Sequence, residues 1–352
     1  MIYTLRLQHF RSYSDESFEI EPGVNIIVGP NASGKTNLLE SILLLCRGGS
    51  YRAKDSELVQ HEAPWARIDA LTDTEQRTIK FHTEPGGAVR KEFVINEQSL
   101  RRLSHQKTWP VVLFEPNHLQ LLTGSPELRR DYLDLLLDQL SPGFGTTRRK
   151  YKRTLAQRNA LLKGDTRGLS QLFAWNVRLS TLGGQIAEQR LQLVSELNEK
   201  IATTYSALAG DTSTVEIQYL GTCPAKNYGT ELLHKLEKST DVDRQRGFTA
   251  YGPHRDDWMI ELNGKPAGQT ASRGETRTML LALKVLELEL VETVRNKKPI
   301  LLLDDVFSEL DGSRRMALTE TLKTHQTFIT TTDADVVVQH FLDNCNIIPT
   351  SN

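Results

Sequence analysis

Residues 24–28, VNIIV, form a short apolar, β-branched run that stops at Gly29, and from Lys35 to Leu45 the apolar positions take up helical spacing. The order is strand, loop, helix. Two further runs, PILLLDD at 299–305 and TFITTT at 327–332, have the length of buried strands, and the segment between them, Arg314 to Leu322, is long enough for a helix. Short apolar strands alternating with helices predict an α/β fold with parallel pairing. The period then changes in the middle of the chain. Leu172, Trp175, Leu179, Leu182, Ile186, Leu193, Leu197 and Ile201 recur at steps of three, four or seven, as on an amphipathic helix, with Gly183 and Gly184 placed to bend it. The pattern predicts an α/β domain assembled from both chain ends, residues 1–120 and 247–352, with a mainly helical inserted second domain over 121–246. No internal repeat and no long heptad array interrupts it.

Composition changes this picture little. With 352 residues, 38% hydrophobic and 25% charged, the chain can bury a sizeable core. The start, MIYTLRLQHF, lacks an apolar leader core and no run of eighteen apolar residues occurs, so the expected location is the cytoplasm. Cys46, Cys223 and Cys345 have no paired spacing, which predicts free thiols. Charge is more informative in its placement than in its sum. The net charge is −1, yet Arg148 to Arg190 holds ten Lys or Arg against two acids, with Tyr151, Phe173 and Trp175 among them. That stretch reads either as a solvated helix face or as a surface for a phosphate backbone.

Candidate chemistry sits at the predicted strand ends. GPNASGKT at 29–36 fits G-x-x-x-x-G-K-[ST], in which glycines let backbone N–H groups close on phosphate oxygens, Lys35 neutralises phosphate charge and the Thr36 hydroxyl can hold Mg²⁺. LLLDD at 301–305 ends an apolar strand in two carboxylates, Asp304 to hold Mg²⁺ and Asp305 to orient or deprotonate a water. Just before that strand, SRGETRTMLLALK at 272–284 opens an apolar helix with Ser272, Gly274 and Glu275. Such a helix start is either an anion site or simply a good cap.

The three motifs in this order resemble those of ABC-type P-loop ATPases, in which the signature helix of one subunit caps the γ-phosphate held by the P-loop of the other. The resemblance narrows with LQHFRSY at 7–13, FEIEPGVNIIVGPNASGKTNLLESI, FEPNHLQLLTGSPELRRDYLD at 114–134, GPHRDD at 252–257 and ILLLDDVFSELD at 300–311. Together, from residue 2 to about 335, these are similar to the RecF family, the bacterial DNA-repair branch of the SMC-like ABC ATPases. It implies an ABC-type ATPase head with ATP and Mg²⁺ as cofactors. Gly29, Pro30, Asn31, Ala32, Ser33, Gly34, Lys35, Thr36 and Asn37 would line the P-loop, Thr36 and Asp304 the metal, Lys35 and Asp305 the catalytic positions, and Ser272, Gly274 and Glu275 the signature. Asp311, after Ser308 and Glu309, would cross a dimer interface, and Arg11 either reaches the phosphates or is a surface arginine.

Further implications are an ATP-dependent homodimer, weak DNA-stimulated ATP hydrolysis, binding to duplex or gapped DNA, and action with RecO and RecR to load RecA in gap repair and the SOS response. Candidate DNA contacts are Arg47, Arg52 and Lys54 after the P-loop helix, and Arg148, Arg149, Lys150, Lys152 and Arg153 on the insertion. Several positions depart from the ABC pattern. Where a glutamine is usual, Glu115 or Asn117 stands; Thr331 and Thr332 replace a switch histidine; and Asp305 replaces the more common Glu, a shorter reach that predicts slow hydrolysis. His254 and Arg255 of GPHRDD either meet phosphate or DNA, or Arg255 pairs with Asp256 or Asp257. The nucleotide-binding subunit of a membrane transporter and a small-molecule kinase are the alternatives to a DNA-repair ATPase.

Overall fold

The computed structural model describes residues 1–164, 171–307, 310–333, 337–341 and 345–350. The chain forms two compact units, Met1–His118 with Leu288–Asn352, and Leu119–Glu287. In chain order the first unit begins with β1 (Ile2–Phe10), β2 (Tyr13–Glu19), β3 (Val24–Val28), α1 (Lys35–Arg47), β4 (Trp65–Thr72), β5 (Gln76–Thr83), β6 (Val89–Ile95), β7 (Gln98–Leu100) and β8 (Val111–Phe114). Next come α2 (Gln120–Thr123), α3 (Pro126–Leu140), α4 (Phe144–Lys163), α5 (Leu172–Asn198), α6 (Ile201–Ala209), β9 (Val215–Leu220), α7 (Tyr228–Lys238), α8 (Thr240–Arg246), β10 (Asp257–Leu262), β11 (Lys265–Pro266), α9 (Ala267–Thr270) and α10 (Arg273–Arg295). The chain closes with β12 (Ile300–Asp304), α11 (Gly312–Leu322), β13 (Thr327–Thr331) and β14 (Cys345–Pro349).

Two sheets build the first unit among the described residues. One is parallel, in the order β14-β3-β13-β12-β8; the other runs β2-β1-β4-β5-β6-β7 with antiparallel pairing throughout. The expected parallel strands are there, drawn from both chain ends. Helix α1 contacts β4 and β5 of the antiparallel sheet and β8, β12 and β13 of the parallel one. Every residue from Leu38 to Cys46 is accordingly buried. A helix with no solvated side lies inside a core, not on it. Gly48 in the left-handed conformation ends the helix by donating its N–H to Leu44 O. The buried Arg77 guanidinium adds a bond to Leu45 O and lies 3.8 Å from the Trp109 ring centre.

In the second unit, β10 pairs antiparallel with β9, setting Trp258 against Tyr219 and Ile260 against Ile217. This pairing draws residues after 246 into the inserted unit, whose boundary falls at 287 instead of the expected 246. The predicted long helix is present as α5, ending at Asn198, and Ile201 starts α6. Gly183 and Gly184 do not interrupt α5. A Cβ on Gly183 would lie 2.7 Å from Leu232, and one on Gly184 3.0 Å from Gly229 Cα, so the pair admits α7 at close range.

Buried polar pairs tie this unit together. Arg158, fully buried on α4, donates to Asp243 (2.8 Å), Asn176 (2.7 Å) and Thr249 (2.7 Å). Arg190 on α5 donates to Asp134 (2.8 Å) and Pro253 O (2.7 Å). GPHRDD, whose role the sequence left open, belongs to the same framework. Asp256 is fully buried and accepts bonds from the Tyr219 and Tyr228 hydroxyls, each 2.7 Å, and from Thr222. Asp257 accepts from Arg129 Nε and Nη2 (2.7 and 2.8 Å), and Arg255 is exposed with its guanidinium 4.8 Å from the Phe248 ring centre. Arg255 thus pairs with neither neighbouring aspartate. The three cysteines are free, with Cys46 and Cys223 buried and Cys345 half-buried. No helix among the described residues is long and apolar enough to cross a membrane.

His254 makes this framework sensitive to acid. Its Nδ1 accepts from the Tyr151 hydroxyl (2.7 Å) and its Nε2 donates to Thr249 O (3.1 Å), the pattern of a neutral ring. Burial is the first cause pushing its pKa down, to about 4. Above the unfolded value of about 6.5 both states are neutral and the contribution is complete; below it the unfolded chain takes up a proton that the folded ring refuses. Denaturant unfolding followed by Trp fluorescence should therefore show stability falling between about pH 6.5 and 4, by roughly 2–3 kcal/mol from this residue. His254→Asn should flatten that slope, and an unchanged slope in the variant would rule the histidine out as its source.

Candidate nucleotide site

Parallel pairing brings the C-terminal ends of β3, β13 and β12 to one edge, where the phosphate-loop and carboxylate motifs meet. The loop from Gly29 to Thr36 turns into α1 through Gly34 at φ 93°, a conformation that favours glycine. Space enforces the same choice, since a Cβ on Gly34 would lie 2.9 Å from the Ser12 and Tyr13 hydroxyl oxygens, and one on Gly29 would lie 2.4 Å from Thr350 O. The Tyr13 hydroxyl donates to Gly34 O (3.1 Å), and Ser33 shares a 2.7 Å hydrogen bond with Thr350. Pro30, Asn31 and Ala32 form the exposed crest of the loop, with Ala32 at φ 67°.

Lys35 folds back across the loop, its Nζ donating to Gly29 O and Pro30 O at 2.7 Å each. Desolvation lowers its pKa from the ordinary lysine value, opposed by the charges of Asp305 and Asp304. Thr36 Oγ1 donates to Asp304 Oδ1 (3.0 Å), joining residues 268 positions apart. Both are hard oxygen donors. Such a pair suits Mg²⁺, which takes one or two protein oxygens and completes its shell with phosphate and water. Lys35, Thr36, Asp304 and Asp305 are thus brought together at one edge of the sheet.

Thr330, which the sequence reading passed over, joins the group. It is fully buried on β13; its Oγ1 donates to Asp304 Oδ1 (2.8 Å) and accepts from Asp305 N (2.9 Å). The available signal was a hydroxyl on a strand short enough to be buried, which needs a partner. Thr331, proposed in place of the switch histidine, instead donates to Asp333 O and accepts from Asp333 N, and Thr332 is exposed. The Tyr51 hydroxyl is kept protonated first by burial and then by the charges of Asp304 and Glu115, so Glu115 shares the field of this edge whereas Asn117 is exposed.

A second network flanks the loop. Glu40 is fully buried on α1 and accepts from Arg11 Nε (2.9 Å) and Arg52 (3.0 Å), with Ser50 as a third donor. Desolvation opposes ionisation of Glu40, but the bonds from Arg11, Arg52 and Ser50 outweigh it and lower its pKa. Arg52 also donates to Asn37 Oδ1 (2.6 Å), and Asn37 to Ser12. Arg11 is therefore an ion-paired residue and not a loose surface arginine, and Arg52 is bound into the same network.

The remaining candidates divide by burial. Arg47 is half-buried in the last turn of α1, while Lys54 is exposed. On α4, Arg149, Lys150, Lys152 and Arg153 are exposed, but Arg148 is tied to Asp138 (2.8 Å) and Asp134 (3.6 Å). With Arg158 and Arg190 also inside, three cations of the basic stretch are structural, and its charge count overstates the exposed positive surface. At the start of α10, Ser272 N donates to Glu275 (2.7 Å) while Ser272 Oγ accepts from Glu275 N (3.3 Å), a reciprocal capping box that leaves Ser272 exposed and Gly274 half-buried. Those two bonds to Ser272 are the leading causes that lower the Glu275 pKa. Asp311 caps α11 by accepting from Arg314 N (3.0 Å); Ser308 and Glu309 before it lie outside the described residues.

Similarity to known proteins follows these same features. The family model of the RecF/RecN/SMC N-terminal domain matches residues 1–349. The DNA replication and repair protein RecF of Heliobacterium modesticaldum is 38% identical over 342 residues, covering 94% of this chain and 92% of the relative. A protein of the same name from Staphylococcus aureus is 32% identical over 359 residues, with coverage of 98% and 96%. Among solved structures, that of the recombination mediator protein RecF with ATP in the RecFOR pathway superposes with a TM-score of 0.84 at 31% identity, over 94% of this chain and 92% of that one. The fold is the ABC-type ATPase head of the RecF and SMC proteins, and the chain belongs to the RecF family.

Proposed function

We propose that this chain is an ATP-dependent, cytoplasmic DNA-repair protein that dimerises on ATP, binds duplex or gapped DNA and, with RecO and RecR, promotes RecA loading in gap repair and the SOS response. The observation that carries this reading is the Thr36–Asp304 hydrogen bond beside Lys35, which joins the phosphate loop to the carboxylate strand end. The ATP in the similar RecF structure supports it. Lys35 would exchange its bonds to Gly29 O and Pro30 O for phosphate oxygens, and Thr36 and Asp304 would hold Mg²⁺, which supplies charge neutralisation to the phosphates. Asp305 would orient the attacking water with a reach one methylene shorter than Glu, giving slow hydrolysis that resets a dimer. Gly274, Ser272 and the N–H groups at the start of α10 would face the nucleotide of a second copy, with Asp311 at the same interface.

Sedimentation with and without Mg·ATP and a gapped duplex tests the whole reading: an ATP-dependent dimer that carries the DNA supports it, and a monomer indifferent to both overturns it. Lys35→Met should lose ATP binding. Ser272→Arg should bind ATP yet stay monomeric; normal dimerisation of that variant would leave Ser272 as a helix cap alone. For DNA, Lys150→Ala with Arg153→Ala should weaken binding at low salt and reduce the salt slope by up to about 2, roughly 0.9 per lost phosphate contact. Arg148→Ala should instead lower thermal stability, because it removes the 2.8 Å ion pair to Asp138 and one of the two arginines beside Asp134. An unaltered salt slope in the double variant would remove α4 from the DNA surface.

A further inference from the structure

The middle strand of the nucleotide edge carries a residue that none of the recognised motifs includes. Thr330 sits on β13, between the phosphate-loop strand β3 and the carboxylate strand β12. Its side chain is fully buried, so its hydroxyl has to find partners within the protein. The hydroxyl proton goes to Asp304 Oδ1 at 2.8 Å, since the competing Leu303 O lies at 3.5 Å. A lone pair accepts the Asp305 N–H at 2.9 Å. The parallel register of β12 on β13 runs as far as Asp304 opposite Thr330, and the chain then turns at Asp305, whose φ is 51°. Few residues with a Cβ adopt that conformation, although Asp tolerates it. One hydroxyl thus stands at the end of the ladder, fixing the first carboxylate through its side chain and the second through its backbone.

The two hydroxyls on Asp304 Oδ1 differ in what they are free to do. Thr36 lies in the first turn of α1 at the end of the phosphate loop, so its hydroxyl can turn from Asp304 towards a metal. Thr330 lies inside the sheet with no such alternative. We propose that Thr330 is a positioning residue for ATP hydrolysis, holding Asp304 for Mg²⁺ and Asp305 for water when the Thr36 hydroxyl leaves. This rests on the ATPase reading above and adds a residue to it.

The test uses the full chain with Thr330→Val, Thr330→Ala and Thr330→Ser. Mg²⁺ is titrated calorimetrically into protein saturated with a non-hydrolysable ATP analogue, and steady-state ATP turnover is measured beside it. Thr330→Val should bind the analogue without metal within about 2-fold of the unaltered chain, bind Mg²⁺ about 10-fold more weakly, and lose about 10-fold in kcat with KM within about 3-fold, as expected for a residue that orients a metal ligand. Thr330→Ser, which keeps the hydroxyl, should recover both within about 3-fold. Should the valine variant not fold, the comparison of Thr330→Ala with Thr330→Ser carries the same contrast. Mg²⁺ affinity and turnover equal to the unaltered chain in the variants without a hydroxyl would overturn the proposal, as would a serine variant as defective as they are. If the unaltered chain binds no analogue, the ATPase reading itself falls and takes this role with it.

Discussion

The burial of helix α1 on every side is the constraint from which the first unit follows. A helix buried all round must be enclosed, and here β4 and β5 contact it from one sheet and β8, β12 and β13 from the other. Its first residue is the lysine of the phosphate loop, so the packing that holds the helix also fixes the loop. Its last turn is held by Gly48 and by Arg77, which reaches Leu45 O. The one acid inside it, Glu40, keeps its charge because two arginines and a serine bond it. Removing those partners would leave a buried carboxylate without compensation, which is costlier than losing exposed pairs.

That network gives Arg11 and Arg52 their places. Both looked from the sequence like cations available to a ligand. In the fold they meet over a single carboxylate between β1 and the turn after α1, and Arg52 also holds Asn37 of the phosphate loop. The edge beside them is ordered by hydroxyls. Thr36 and Thr330 converge on Asp304, so the first carboxylate is oriented by donors from the first turn of α1 and from β13.

The second unit uses charge differently. Arg158 and Asp243 are both fully buried, and Arg190 with Asp134 nearly so. Each arginine spends its remaining donors on Asn176, Thr249 or backbone carbonyls, which is what allows the charges to remain inside. The basic stretch is therefore two populations, an exposed row on α4 and a set of internal ties. GPHRDD is one of those ties, with Asp256, Asp257 and His254 each engaged by residues distant in sequence.

The sequence by itself determined strands at 24–28, within 299–305 and within 327–332, the helix from Lys35, and the pairing of a phosphate loop with a carboxylate strand end. These are local patterns, written in spacing and in glycine, and their parallel order follows from them. It also determined the long helix from Leu172, though not what Gly183 and Gly184 do there, because only the approach of α7 gives those glycines a use. Tertiary structure decided the antiparallel sheet of β1, β2 and β4–β7, whose strands lack the continuous apolar runs of β3 and β12, and the pairing of β10 with β9 that carries residues up to 287 into the inserted unit. It also decided which cations are free and which are internal. Arg148, Arg158 and Arg190 differ from Arg149 and Arg153 in their partners, and those partners lie from ten to ninety-one positions away. Thr330 belongs to the same class, since its hydroxyl matters through a strand that reaches it only when the sheet has formed.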